Sequence, residues 1–338
     1  MQKFKIVSNT SSAQDNWEDI CQWLSNDFCE VNKIIIQNLE SPISLISELA
    51  SYIILSGGKR IRPLLTIASA KLCEYKGERH LNLAASIEFI HTATLLHDDV
   101  IDESEKRRGK TTANIVWNNK SSILVGDYLL SKAFGLMIKD GSNKCLKTIS
   151  DASIKISQGE VLQLQRSSRI DTTESQYLEI VESKTAALFS AACSVSGIIT
   201  QVSFDKEKAL EEYGKFIGMS FQIIDDALDY DSKNNLLDKN AGDDFREGKV
   251  SLPIILAYKR STDLEKRFIE RVINPANQKE EHFYEVTNII NKYNIIEDCF
   301  NKAKHFTIMA KDALSPFKNN YNKEKLICIA EIVLGRNI

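Results

Sequence analysis

The chain has 338 residues, with 43 lysines and arginines against 46 aspartates and glutamates, and a formal net charge of −3. Hydrophobic residues make up 43 % and charged residues 26 %, which is ordinary globular usage and excludes collagen-like and low-complexity architectures. The near-neutral charge also argues against a nucleic-acid-binding protein, which normally presents a basic surface. Only 14 glycines and 5 prolines are present, so a mostly helical chain is expected, because a sheet with many turns needs more of both.

The cysteines and the amino terminus predict a cytoplasmic protein. The 7 cysteines are scattered and form no CxxC pair, which is typical of reduced thiols rather than of a disulfide framework. The first twelve residues lack the apolar segment of a secretory signal. No uninterrupted apolar run approaches the roughly 18 residues that a membrane span needs, so no transmembrane segment is expected.

Helical periodicity runs through the chain, without a convincing strand or a repeat of fixed period. Ser41 and Pro42 resemble the N-cap and first position of a helix that Gly57 and Gly58 close. The other predicted helices cover about 62–77, 81–103, 121–139, 143–168, 174–200, 205–231, 251–261, 263–273 and 279–315, with a short one after Lys323.

No linker-like break divides the chain, so one domain is predicted over residues 1–338. Residues 1–40 supply its N-terminal helix, and residues 262–338 supply its C-terminal helices. Two polar stretches interrupt the helices, at 104–112 and 232–250. Long polar loops within a compact domain are often functional.

Two apolar helices end in the same acidic pattern. The motifs are Asp98-Asp99-Val100-Ile101-Asp102 and Asp225-Asp226-Ala227-Leu228-Asp229. Residues four apart share a helix face, so Asp98 lies beside Asp102 and Asp225 beside Asp229, where like charges repel. Mg²⁺ prefers carboxylate oxygens and completes its shell with substrate phosphates. Two copies of the motif, each followed by a polar loop with basic residues, predict a metal-dependent phosphate site.

Two other interpretations of the acidic residues remain open at this point. A single such motif is equally typical of a solvated acidic helix end. A di-iron carboxylate bundle uses Glu-x-x-His on each of two helices, but only Glu88 and His91 supply that pattern here.

Basic residues occur in several separate groups, each of which suits a phosphate. Gly57 and Gly58 precede cations at the start of a helix, where backbone N–H groups favour anions. Lys184 lies within an apolar helix and needs a partner or a ligand. The full set of candidate cations is Lys59, Arg62, Arg107, Arg108, Lys184, Lys239 and Lys249. With two acidic clusters and apolar helices around them, these cations predict a cavity for a lipid-like diphosphate.

Together with these motifs, the sequence over about residues 40–260 resembles the trans-prenyl diphosphate synthases. The matching segments are GGKRIRP (57–63), IHTATLLHDDVIDESEKRRGK (90–110), SKTA (183–186), FQIIDDALD (221–229) and GDDFREGKVSLP (242–253). Within the family it is most similar to the long-chain octaprenyl and decaprenyl synthases that make quinone side chains. The resemblance implies an all-α fold, a single-domain helical bundle around a central apolar cavity, and a homodimer.

The resemblance also implies a Mg²⁺-dependent reaction, with three ions in each site. An allylic diphosphate, such as farnesyl diphosphate, ionises and is extended by isopentenyl diphosphate, and a proton is then lost. Asp98, Asp102 and Asp225 are expected to hold the metal, and Asp99, Asp226 and Asp229 to support them. The allylic diphosphate is expected to contact Arg107, Lys184, Lys249 and Lys239, and isopentenyl diphosphate to contact Lys59, Arg62, His91 and Arg108. Thr185 and Gln222 are expected to turn oxygen dipoles toward the carbocation.

Product length is partly predicted from the residues before the first motif. Ala93 lies five residues before Asp98, or roughly 7.5 Å along the helix, and an aromatic residue there would close the cavity early. Ala93 and Thr94 leave it open, so products of about eight to ten isoprene units are favoured by resemblance. Phe134 and Met137 are candidates for a deeper floor. A shorter-chain geranylgeranyl-type synthase, a terpene cyclase and a non-catalytic subunit of a heteromeric synthase remain as alternatives.

Overall fold

The computed structural model describes residues 13–107, 109–231 and 242–335. The predicted all-α fold is confirmed, and helices dominate the described part of the chain. The first half contains α1 Ala13–Leu39, α2 Ser44–Ile54, α3 Ile61–Leu72, α4 Arg79–Ile101, α5 Ala113–Val116, α6 Asn119–Asp140 and α7 Asn143–Arg166. The second half contains α8 Glu174–Val181, a π-helical segment Glu182–Ala186, α9 Ala187–Thr200, α10 Phe204–Asp229, α11 Asp243–Arg246, α12 Leu252–Arg260, α13 Asp263–Val272, a 3₁₀ turn Pro275–Asn277, α14 Glu280–Lys292, α15 Ile295–Ala313 and α16 Tyr321–Leu334.

Helices α4 and α10 carry the two acidic motifs and lie at the centre of the bundle. Helix α4 packs mainly on α6 and α3, and α10 packs mainly on α15 and α9. Most of α4 is buried around its circumference, as its apolar composition requires. Helix α10 contributes to both large hydrophobic clusters, with Tyr213 and Ile217 in one and Ile223 and Ile224 in the other. This continuity supports one domain over residues 1–338, which stays a prediction.

Three predicted helix boundaries were wrong for local reasons. Helix α2 begins at Ser44 rather than at Ser41-Pro42, because the Ser41 hydroxyl accepts a hydrogen bond from the Ile43 N–H in a preceding turn. Helix α3 ends at Leu72 rather than near residue 77, because Glu74 adopts a left-handed conformation and Tyr75 N–H bonds back to the Ala70 carbonyl. The single helix predicted over 279–315 is two helices, separated where Asn294 has a φ of 54°.

The expectation of no strand was also wrong. Lys106–Arg107 and Lys110–Thr111 form a two-residue antiparallel ladder directly after the first acidic motif. Gly109 occupies the turn with a φ of 73°, which glycine adopts without a steric penalty. The ladder turns Arg107 back toward α4.

Helix α6 is long and apolar enough to cross a membrane by length and composition alone, although no such segment was expected from the sequence. It has 22 residues and a mean hydropathy of 1.3 over its most apolar window, of which 39 % is buried. One such helix is weak evidence for a membrane span, and α6 packs along α4 in the bundle. Its remaining apolar surface faces outward.

Candidate active site

The acidic ends of α4 and α10 face one cavity of about 710 Å³. The elements that bound it are α2–α4, the Lys106–Arg107 strand of the ladder, α7, the π-helical segment and α10. The predicted site residues that line this cavity are Lys59, Arg62, His91, Thr94, Asp98, Asp102, Arg107, Lys184, Thr185, Gln222, Asp225 and Lys249. Segments almost 200 residues apart in sequence therefore meet around one space.

The first acidic motif divides between the cavity and the protein interior. Asp98 and Asp102 line the cavity, whereas Asp99 is 1 % exposed and accepts a 2.8 Å hydrogen bond from Arg107 Nε. Burial raises the pKa of Asp98, and the ammonium group of Lys184 opposes that rise. Asp102 forms a 3.1 Å ion pair with Lys249. Asp99 therefore orients a cation, while Asp98 presents its carboxyl group to the cavity.

The second motif divides in the same way. Asp225 lines the cavity. Asp226 is buried, and it accepts hydrogen bonds from the Tyr177 hydroxyl at 2.6 Å and from Gln222 Nε2 at 2.7 Å. The Asp229 carboxylate accepts hydrogen bonds of 2.9–3.2 Å from the backbone N–H groups of residues 242, 243 and 244. It thus ties the start of α11 to the end of α10 and brings Lys249 toward the cavity.

Lys184 and Thr185 lie on the π-helical segment, where the regular helix is interrupted. Glycines on both neighbouring helices make room for it. A Cβ atom at Gly159 would lie 2.6 Å from the Lys184 backbone nitrogen, and one at Gly218 would lie 2.5 Å from Cα of Ala186. Single π-helical turns occur often at functional sites, and this one directs two neighbouring side chains into the same cavity.

Thr185 and Gln222 form a chain of hydrogen bonds with a fixed direction. Asp226 can only accept while ionised, so Gln222 must donate from Nε2 and present Oε1 on its other side. The Thr185 hydroxyl then donates to Gln222 Oε1 at 2.9 Å. Thr185 Oγ1 therefore keeps its lone pairs for the cavity, and a developing positive charge there would meet oxygen rather than hydrogen.

The second group of cations lies around the glycine turn before α3, which forms one wall of the cavity. Gly57 and Gly58 have φ values of 100° and 136°, so the turn requires glycine. Arg62 Nη1 lies 3.0 Å from Nε2 of His91, and its guanidinium packs 4.4 Å from the Phe189 ring centroid. Lys59 Nζ lies 5.2 Å from the Trp17 ring centroid, so α1 also helps to shape this wall.

Several predicted residues do not line the cavity. Ala93 is buried in the core beside it and is 2 % exposed, Met137 is buried within α6, and Phe134 is 37 % exposed on the outer side of α6. Arg108 and Lys239 lie outside the described residues.

The carboxylates fit a metal ion that shares its ligands with a substrate. Within residues 13–107, 109–231 and 242–335, no three His, Cys, Asp or Glu side chains converge closely enough to hold an ion alone. Asp98, Asp102 and Asp225 nevertheless line the same cavity from two helices. Mg²⁺ is typically bound by one or two carboxylates together with substrate phosphates, and this donor set suits that arrangement better than a protein-only metal centre.

Comparisons with known proteins agree with this geometry. Residues 43–290 match the family described as polyprenyl synthetase. The chain is 41 % identical to octaprenyl diphosphate synthase from Escherichia coli K12 over 95 % of its own length and 99 % of that protein. The chain belongs to the polyprenyl synthetase family. The predicted enzyme class, a long-chain trans-prenyl diphosphate synthase with octaprenyl-type relatives, is confirmed.

Two further proteins are similar to this chain over nearly their whole length. The all-trans-nonaprenyl-diphosphate synthase (geranyl-diphosphate specific) of Rhodobacter capsulatus is 36 % identical over 96 % of this chain and 99 % of that protein. The crystal structure of polyprenyl synthase from Caulobacter crescentus CB15, complexed with calcium and isoprenyl diphosphate, superposes with a TM-score of 0.92. It is 41 % identical and covers 95 % of this chain and 98 % of that chain.

Sequence reasoning missed several residues of this polyprenyl synthetase site. Glu160 lines the cavity and pairs with Lys184, Glu247 pairs with Lys249, and Tyr177 donates to Asp226. The lysine within an apolar helix was a signal that some acid must lie opposite Lys184. Nothing local in the sequence indicated which of the distant glutamates it was.

The buried carboxyls predict that the metal-free protein loses stability as pH rises. Burial raises the pKa of Asp226 to about 6 and those of Asp244 and Glu247 to about 7. Between about pH 4 and pH 7 the folded protein therefore keeps protons that the unfolded chain has released, so the free energy of unfolding should fall. Burial lowers the pKa of His80, so this one group makes the free energy of unfolding rise with pH, against the larger number of buried carboxyls. Urea unfolding in EDTA at about pH 5 and pH 8 measures this, and greater stability at the higher pH would contradict it.

Proposed function

We propose that this protein extends an allylic diphosphate, preferably farnesyl diphosphate, with successive isopentenyl diphosphate units. The product would be an all-trans polyprenyl diphosphate of octaprenyl to decaprenyl length, which supplies a quinone side chain. The observation that carries the proposal is the single cavity in which two separate cation groups flank the acidic ends of α4 and α10. Two diphosphates bound in one cavity need two such groups.

The two cation groups take different diphosphates in this proposal. Arg107, Lys184 and Lys249 lie with the acidic residues and would bind the allylic diphosphate, which leaves during the reaction. Lys59, Arg62 and His91 line the cavity near the glycine turn before α3 and would hold isopentenyl diphosphate, whose diphosphate is retained. Arg108 and Lys239 are proposed to join these groups.

The acidic residues would hold the divalent metal. Asp98, Asp102 and Asp225 supply the carboxylates, and Asp99, Asp226 and Asp229 keep neighbouring groups in place. We propose three Mg²⁺ ions in each site. They would neutralise the charge that develops on the leaving diphosphate. The calcium and isoprenyl diphosphate in the Caulobacter structure support this assignment.

The remaining cavity wall protects a carbocation. Leu95, Ile156 and Phe221 are apolar lining residues and exclude water, which would otherwise quench the cation. Thr185 Oγ1 and the Gln222 amide oxygen offer lone pairs rather than protons to it. The double bond of isopentenyl diphosphate attacks the cation, and the proton then leaves to the departing diphosphate, so no protein nucleophile is required.

Thr94 provides a test of the proposed product length. It lines the cavity one helical turn before Asp98, so a phenyl ring there should obstruct the growing chain. Thr94→Phe is expected to shorten the product by several isoprene units while elongation continues, and mass spectrometry of the products measures this. Thr94→Val, which keeps the side-chain volume, should leave the length unchanged. An unaltered length in Thr94→Phe would show that chain growth follows another direction.

A deeper floor is proposed around α6. Met137 is 1 % exposed and belongs to the same hydrophobic cluster as Ala93, so it can limit chain growth only if the product extends between α4 and α6. Phe134 would serve that role only from the outer side of α6. A shorter, geranylgeranyl-type product would favour a floor near Ala93 and Thr94 instead.

We propose that the protein acts as a homodimer in the cytoplasm, and the outer surface of α6 and α7 supports the dimer. Ile123, Leu124 and Ile138 on α6 are 42–67 % exposed, and Val161 and Leu164 on α7 are 57 % and 67 % exposed. Single exposed apolar residues are normal on a protein surface, whereas a group of them marks an interaction site. A second copy of the chain would cover this apolar face. Sedimentation equilibrium is expected to give twice the mass of one chain.

The proposed reaction is tested by incorporation of labelled isopentenyl diphosphate into an extractable hydrophobic product. The purified protein should incorporate label when farnesyl diphosphate and Mg²⁺ are present, and EDTA should abolish incorporation. Absence of incorporation at any Mg²⁺ concentration would instead indicate a non-catalytic subunit.

A further inference from the structure

Glu160 is a cavity carboxylate that neither acidic motif contains. It lies on α7, directly after Gly159, and its Oε2 accepts a 2.7 Å hydrogen bond from Lys184 Nζ. Each side chain of this pair is 20 % exposed. The other oxygen, Oε1, is buried and has no hydrogen-bond partner among the described residues. Keeping a partly buried carboxylate with one unsatisfied oxygen is unfavourable for folding, so the pair calls for a functional explanation.

Backbone packing brings Glu160 to Lys184. Because Gly159 has no Cβ, α7 approaches the Lys184 backbone closely enough that a Cβ atom would lie 2.6 Å from its nitrogen. The π-helical segment then turns Lys184 toward α7. The ion pair is thus specified by two backbone features as well as by the charges.

Lys184 has a second acid within its reach. Asp98 lines the same cavity, and Lys184 is the cation that most strongly lowers the pKa of Asp98. Among the described residues, the structure gives the Asp98 carboxylate no hydrogen-bond donor. A lysine side chain has a flexible four-carbon stem, so an unrestrained Lys184 would turn to Asp98.

We infer that Glu160 is a positioning residue that keeps the Lys184 ammonium group away from Asp98. The inference rests on the proposed function, in which Asp98 binds the metal and Lys184 the allylic diphosphate. With Glu160 present, Lys184 stays at the α7 side of the cavity and Asp98 keeps its oxygens for the metal. Without it, Lys184 pairs with Asp98, and both the metal and the diphosphate lose a ligand.

Calorimetric titration with inorganic diphosphate in the presence of Mg²⁺ tests this without turnover. Glu160→Gln keeps the side-chain shape and removes the charge, and it should weaken diphosphate binding about tenfold, as expected for loss of a charged hydrogen bond. It should also raise the Mg²⁺ concentration needed for half-maximal binding. Glu160→Asp should recover part of the affinity. Thermal unfolding confirms that each variant is folded.

The double variant separates positioning of Lys184 from a general loss of charge. Lys184→Met alone should weaken diphosphate binding, and adding Glu160→Gln to it should cause no further loss, because the lysine to be restrained is gone. Unchanged or tighter binding by Glu160→Gln, or an equal loss in the Lys184→Met background, would overturn the inference. A protein that binds diphosphate in this pattern but forms no polyprenyl product would contradict the proposed function alone. Absence of any diphosphate binding by the unaltered protein would contradict both.

Discussion

Asp98→Asn should reduce kcat for elongation by about 10³-fold, the size of effect seen when one group that stabilises developing charge is removed. The asparagine has almost the shape of the aspartate, so packing of α4 should be unchanged. It removes the negative charge from a carboxylate that lines the cavity and that has no hydrogen-bond donor among the residues the structure describes. The metal would lose a ligand, and the allylic diphosphate would lose its neutralisation at the moment of departure.

Steady-state elongation rates over a range of Mg²⁺ concentrations measure this effect. The matched control is Asp151→Asn on α7, whose carboxyl is 51 % exposed and pairs with Lys147 at the surface. It should retain the rate of the unaltered protein. A rate for Asp98→Asn within threefold of the control would show that the first acidic motif does not hold the catalytic metal.

Gly159→Ala should impair both stability and catalysis through one added methyl group. The new Cβ would lie 2.6 Å from the Lys184 nitrogen and 3.0 Å from its Cα, and backbone atoms cannot move aside as a flexible side chain can. Separation of α7 from the π-helical segment should cost about 1–3 kcal/mol of unfolding free energy, as overpacking usually does. It should also displace Lys184 and Thr185 and lower kcat.

Gly135→Ala on α6 is the matched control for this substitution. A Cβ atom there meets nothing within 4 Å, so the variant should be neutral or more stable by up to about 1 kcal/mol, because alanine favours the helix. Urea unfolding and elongation assays compare the two variants. If Gly159→Ala behaved like Gly135→Ala, the close contact would not be what holds the π-helical segment.

The central helices and their acidic ends could be predicted from the sequence because they depend on local information. Periodic apolar residues define α4 and α10, and the repeated spacing of aspartates brings Asp98 beside Asp102 and Asp225 beside Asp229 on helix faces. The same spacing does not indicate which aspartates face the cavity. That division depends on partners distant in sequence, such as Arg107 for Asp99 and Tyr177 for Asp226.

The features that were missed depend on tertiary packing or on single backbone conformations. The π-helical segment reads as continuous helix, because the glycines that accommodate it lie on two other helices. The break at Asn294 depends on one left-handed residue. Glu160 resembles any glutamate on the polar face of α7 until the structure places it against Lys184.

Analysis of the reaction products tests whether this cavity extends farnesyl diphosphate to a long-chain product. The purified protein, incubated with farnesyl diphosphate, excess isopentenyl diphosphate and Mg²⁺, is expected to yield all-trans polyprenyl diphosphates of octaprenyl to decaprenyl length by mass spectrometry, and none with EDTA. A product that stops at geranylgeranyl diphosphate would contradict the long-chain assignment and place the floor near Thr94. A mixture in which farnesyl diphosphate remains unextended would contradict the proposal that this cavity joins two diphosphate substrates.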